Sequence, residues 1–290
     1  MTTTTHTLAT DGAEITYDVH GSLPSADGQP PLMMVGQPMD ASGFAALAAE
    51  FSDRTVVTYD PRGMGRSTRS DGQVSNEPEV QTGDVHAVIE ALDAGPVDLF
   101  ASSGGAVTAL ALVTAYPLDV RTLVAHEPPL VGALPDAEAA QRATTGFQQA
   151  YQDNGWGAGM AAFIAMTSWP GEFTDAYFAQ PSPDPAQFGL PTEDDGSRDD
   201  PLLSDRSVAV TAYQLDGAAL QGAPTRIVLA HGVESADVMT GRAAQAVAGL
   251  LGQESVEFPS HHGGFGAPDG QWPGQAPEFA VRLREVLSGA

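Results

Sequence analysis

Two residue types are missing from this 290-residue chain: it has no cysteine and no lysine, and all 12 of its basic residues are arginines. Without cysteine there is no disulfide, no thiol nucleophile and no cysteine-held metal. Without lysine there is no phosphate-cradling P-loop and no Schiff-base chemistry. Positive charge is scarce overall, since 37 acidic residues leave a formal net charge of −25. So acidic a chain repels nucleic acid, anionic membranes and strongly anionic substrates, and its ordinary role is to keep the surface soluble. Long apolar runs are also lacking, and none approaches the ~18 residues of a membrane span. The opening MTTTTHTLATDG shows neither the basic nor the apolar region of a signal peptide. The expectation is a cytoplasmic protein, monomer or homodimer, with no nucleic-acid or membrane partner.

What is present is an alternation of strands and helices. Strands are predicted at 14–21, 31–36, 54–60, 97–101, 121–127, 225–232 and 255–259, and helices at 44–52, 80–94, 105–116, 241–252 and 277–287. In the helix at 80–94, Val85, Val88, Ile89 and Leu92 recur on one face. Strands separated by helices of this length imply crossover units and a mostly parallel sheet. The interval 130–222 breaks the pattern with two helical stretches and then a run rich in Pro, Asp, Gly and Ser. It reads as a helical lid inserted into a core domain made of 1–129 and 223–290, and a packed subdomain without gating serves as the plainer alternative.

The segment DLFASSGGAVTAL, residues 98–110, joins a predicted strand to a predicted helix through two serines. A serine nucleophile on a strained strand-to-helix turn needs small residues two before and two after it. Around Ser102 the first of these places is filled by Phe100, which is too large; around Ser103 the pair is Ala101 and Gly105, and both fit. Ser103 is therefore the candidate nucleophile, against the plain reading of a glycine-rich turn. A serine hydroxyl needs a base, and FPSHHGGF at 258–265 offers His261 and His262 after the last strand. No third ligand stands at a metal-binding spacing from them, so no metal is expected.

VGQPMD at 35–40, YDPRGMGRS at 59–67, ASSGGA at 101–106 and FPSHHGGF, in this order and spacing, resemble the α/β-hydrolase superfamily along nearly the whole chain. That resemblance implies a mostly parallel eight-stranded sheet flanked by helices, a cofactor-free serine hydrolase and a small-molecule substrate. It favours His262, directly before Gly263, as the base, and gives the oxyanion-binding N–H groups to Gln37 and Gly104. Val35 and Gln37 depart from the usual His-Gly-x-Pro, while Gly36 and Pro38 agree. The acid commonly follows the strand before the histidine strand, where HGVESAD puts Ser235 in the expected place and leaves Glu234 and Asp237 as neighbouring candidates. In zearalenone-type lactonases and certain haloalkane dehalogenases it is instead a Glu one strand earlier. AHEPPL, residues 125–130, is similar to that pattern and makes Glu127 the first choice.

The resemblance implies hydrolysis of a carboxylic ester or lactone through an acyl-enzyme. Carbon–carbon bond hydrolysis, cofactor-free haloperoxidase or perhydrolase chemistry and a non-hydrolytic cyclase or lyase share the same residues, and a catalytically dead binding protein is the contrasting class. The inserted segment is dense in aromatics, which suggests a neutral, hydrophobic substrate touched by Met39, Trp156, Phe163, Met166 and Trp169.

Overall fold

The computed structural model describes residues 2–270 and 272–289. Nine strands form one sheet: β1 (Thr3–Thr10), β2 (Ala13–His20), β3 (Leu32–Gln37), β4 (Val56–Tyr59), β5 (Thr68–Arg69), β6 (Val97–Ser103), β7 (Val120–His126), β8 (Arg226–Gly232) and β9 (Val256–Phe258). Their spatial order is β1-β2-β4-β3-β6-β7-β8-β9, with the two-residue β5 beside β2. β1 and β2 run antiparallel to their neighbours, and every pairing from β4 through β9 is parallel. β1 was not anticipated in the sequence. It is exposed along nearly its whole length, so it has no alternation to betray it, and the hairpin turn at Asp11-Gly12 is the local sign of it.

Nine α-helices accompany the sheet among the described residues: α1 (Ala45–Ala49), α2 (Pro78–Leu92), α3 (Gly104–Ala115), α4 (Ala137–Thr167), α5 (Asp175–Phe178), α6 (Val208–Thr211), α7 (Gly217–Gly222), α8 (Met239–Leu250) and α9 (Ala276–Ser288). Successive side chains of a strand go to opposite faces, and the core divides accordingly. Leu99 and Ala101 of β6 pack with Val85 and Val88 of α2 and Leu110 of α3 on one side. Phe100 of the same strand packs with Leu47 of α1 and Phe279 and Leu283 of α9 on the other. α3 is buried from Gly104 to Val113, which explains why its residues are small or apolar all round rather than on one stripe.

The segment between β7 and β8 builds a third cluster, with Phe147, Tyr151, Met166 and Phe173 against Met239 and Ala243 of α8. α4 joins the two helical stretches read from the sequence. The break between them is Gly155, at φ 85°. The glycines here let the Pro- and Asp-rich run pass close by: a Cβ on Gly157 would lie 1.8 Å from the Pro191 carbonyl oxygen.

The far end of β6 from Ser103 is anchored by charge. Asp98 is wholly buried and accepts from Arg54 and Arg121, each at 2.5 Å. Removing one partner of such a pair strands the others in low dielectric. Asp98→Ala is expected to cost about 3 kcal/mol of unfolding free energy in urea titration; a loss below about 1 kcal/mol would show that the arginines reach water instead.

Candidate active site

Ser103 ends β6 and immediately precedes α3, with φ 57° and ψ −131°. That is a backbone region rarely adopted by an L-residue and costs about 1–3 kcal/mol. The turn fits only because its neighbours are small. A Cβ on Gly105 would stand 2.4 Å from the Val35 carbonyl oxygen, and one on Gly104 would stand 2.8 Å from that of Gln37. Ala101, two residues before the serine, is fully buried. A serine at a helix start ordinarily caps it, yet the Ser103 side chain makes no cap hydrogen bond to α3. The hydroxyl is displayed at the positive end of a buried helix instead of being spent on it.

β3 lies beside this turn, with Gln37 in register with Ser103. Gln37 is 3 % exposed, and its side-chain oxygen has no hydrogen-bond partner among the described residues. Met39 folds back across Gly36 and Gly43, which have no Cβ to obstruct it. The YDPRGMGRS segment supports this loop from below. Asp60 accepts from the Ala41 amide at 2.9 Å and from the Arg66 amide and Nε at 2.8 and 2.7 Å. Burial opposes the charge on Asp60, but these donors hold its carboxyl below the usual range.

Glu127 follows β7 at φ 49° and is wholly buried. Its Oε1 accepts from the Gly232 amide at 2.9 Å, and its Oε2 accepts from Thr240 Oγ1 at 2.5 Å and from His262 Nδ1 at 2.6 Å. Burial pushes this carboxyl up, but the His262 charge and hydrogen bond, aided by His126 and Thr240, outweigh it and keep the group ionised. The His262 side chain is 41 % exposed, so its far nitrogen is open to a substrate. His261 is turned aside, with Nε2 donating to the Pro273 carbonyl at 3.0 Å and Nδ1 accepting from the Gly263 amide. The strand register brings the two halves of the site together. Ser102 pairs with His126 across β6 and β7, so Ser103 and Glu127, each one residue further on, leave the sheet side by side.

Glu234 and Asp237 are both exposed. They lie after β8, where the Glu234 amide donates to the Ser260 carbonyl and the Asp237 carbonyl accepts from the Gly171 amide. His126, Glu127 and His262 bring three potential ligand atoms within 4.8 Å of one another. Within this grouping the carboxylate already accepts three hydrogen bonds, one of them from His262 Nδ1, and His126 Nδ1 pairs with Ser102.

Comparison with known proteins shows the family of the chain. A profile of the alpha/beta hydrolase family matches residues 19–280. The chain belongs to that family. A curated relative is an uncharacterized hydrolase, YraK, of Bacillus subtilis (strain 168), 28 % identical over 292 residues and covering 99 % of this chain and 97 % of the relative. The solved enol-lactonase from Burkholderia xenovorans LB400 superposes with a TM-score of 0.64 at 18 % identity, covering 98 % of this chain and all of that one. A thermophilic esterase from Thermogutta terrifontis does so with a TM-score of 0.59 at 20 % identity, covering 100 % and 99 %.

Within the alpha/beta hydrolase fold, the residues read from the sequence as substrate-facing fall into different settings. Met166 is 1 % exposed, in the interior of the helical cluster. Trp156 is half-buried, and its Nε1 donates to Asp200, pinning the Pro- and Asp-rich run onto α4. Phe163 packs edge-on against Phe147, and Trp169 against Tyr177. No helix among the described residues is long and apolar enough to cross a membrane. Sequence reasoning passed over Thr240 and His126. Thr240 arrives from α8 with no local motif, while His126 stood in plain view beside Glu127 in AHEPPL.

Proposed function

We propose that this chain hydrolyses a neutral, hydrophobic carboxylic ester or lactone, with Ser103 as nucleophile, His262 as general base and acid, and Glu127 as the orienting carboxylate. The observation that carries the reading is the 2.6 Å contact from His262 Nδ1 to a fully buried Glu127, set beside a serine held in strained backbone and spared from capping its helix. Donation from Nδ1 leaves the lone pair on Nε2, the tautomer that a base needs. His262 takes the Ser103 proton as Oγ attacks the substrate carbonyl, and the resulting imidazolium is stabilised by Glu127. The N–H groups of Gln37 and Gly104 receive the oxyanion, each worth ~3 kcal/mol in comparable sites. Collapse expels the alcohol, which takes its proton from His262, and water then releases the acyl group by the same route. In a lactone the expelled alcohol stays tethered to the acyl chain, so the ring opens.

The family resemblance and the esterase and enol-lactonase neighbours support this class. The helical segment 130–222 serves as the cap. Met166 belongs to its interior, and Phe163, Trp156 and Trp169 keep accessible apolar surface for a substrate, with Met39 beside the proposed oxyanion loop. With a formal charge of −25, the protein's field disfavours anionic substrates.

A fluorophosphonate probe is expected to form one adduct, mapped by peptide mass spectrometry to Ser103. An adduct on Ser102, or none in an active preparation, would overturn the nucleophile assignment. Across a panel of esters and lactones, kcat/KM should be higher for medium-chain or aromatic acyl groups than for acetates, and anionic substrates should improve with salt. Were acetate or an acidic ester the best of the panel at low salt, the substrate reading fails and the triad stands.

A further inference from the structure

The second serine of the elbow has its own histidine. Ser102 turns to the Phe100 side of the sheet, where its Oγ lies 3.2 Å from His126 Nδ1. Both residues are buried, at 2 % and 0 % exposure. The imidazole is walled by Phe100, Phe258, Phe265 and Phe279, with ring centroids 6.0, 6.1, 6.2 and 5.4 Å away. Its other nitrogen, Nε2, has no hydrogen-bond partner among the described residues and stands 3.8 Å from Glu127 Oε1.

A histidine in so dry a place stays neutral: burial brings it down to about 4, against the opposing pull of Glu127. Neutral imidazole has one N–H to place. On Nδ1 it would donate to Ser102 and leave the Nε2 lone pair facing a carboxylate oxygen, two acceptors opposed in low dielectric. On Nε2 it faces that oxygen, and the Ser102 hydroxyl donates to Nδ1. Only the second arrangement sets a donor, rather than a second acceptor, against that oxygen at 3.8 Å.

We infer that Ser102 and His126 are positioning residues of the site: the Ser102 hydroxyl holds His126 as its Nε2–H tautomer, and that N–H steadies the Glu127 carboxylate that orients His262. The inference rests on the triad proposed above. It has a consequence for the base. The N–H dipole offsets part of the Glu127 charge that stabilises the His262 imidazolium. The other titratable groups nearby are His231 of β8, bonded through Nδ1 to Ser255, and His261, bonded to Pro273. Neither contacts the Glu127 carboxylate, whose partners are Gly232, Thr240 and His262.

The test measures the rate of fluorophosphonate labelling at Ser103 against pH in the parent, in His126→Phe and in His126→Gln. Phenylalanine suits the aromatic walls and removes the dipole, whereas glutamine returns an N–H donor. The acid limb of the parent profile should move upward by roughly half a unit or more in His126→Phe, and back toward the parent in His126→Gln. Coincident acid limbs in parent and His126→Phe, with Ser103 labelled normally in both, would overturn the inference and leave the triad intact. Failure of Ser103 to label in the parent would instead overturn the triad. Should His126→Phe not fold, two-bond 1H–15N NMR of the parent decides the matter. His126 is expected as a non-titrating Nε2–H tautomer from pH 5 to 9, and an Nδ1–H tautomer overturns the inference.

Discussion

One buried carboxylate ties the site to the fold. Glu127 is the residue on which the end of β7, the Gly232 amide closing β8, Thr240 of α8 and His262 all converge. An isolated carboxylate at zero exposure would be prohibitive, so each of these donors is needed to keep it charged. Because the donors come from separate elements, the charge also fixes where those elements sit relative to one another. The histidine loop can approach so closely only because Gly232 lacks a side chain: a Cβ there would stand 2.5 Å from the Ser260 carbonyl.

The opposite half of the site depends on space rather than charge. Ser103 keeps its strained backbone because Gly104 and Gly105 admit β3 to within contact of the helix start. The surrounding structure over-determines the turn: β6 is held at its far end by Asp98, and α3 is buried along its first ten residues, from Gly104 to Val113. Strain in the backbone is tolerable when the packing on both sides leaves no relaxed alternative. Charge on one strand end thus orients an imidazole, while small size on the neighbouring one leaves a serine hydroxyl uncommitted to its helix.

Much of this was legible in the sequence, and the reasons differ from element to element. The buried parallel strands announce themselves as short apolar runs, and the α2 face as a helical repeat, because burial selects residue type directly. β1 escapes that logic, since it is exposed and pairs through its backbone. The strained turn at Ser103 is readable because its steric demand falls on immediate neighbours, Phe100, Ala101 and Gly105. The carboxylate is not readable that way. Glu127, Glu234 and Asp237 all lie in segments that follow strands, and only the fold shows two of them exposed and one buried against His262. Thr240 and the Ser102–His126 pair are further examples: their partners lie 113 and 24 residues away in the chain, beyond any local pattern.

The claim that most depends on this reading is that Glu127, and not a carboxylate after β8, holds the imidazole of His262. A short charge-assisted hydrogen bond from Nδ1 deshields its proton, which then resonates far downfield of the amides. One-dimensional 1H NMR of the parent, Glu127→Gln and Glu234→Gln proteins at neutral pH reads that proton directly. The resonance is expected in the parent and in Glu234→Gln and should be absent from Glu127→Gln. Its survival in Glu127→Gln, or its loss in Glu234→Gln alone, would contradict the account.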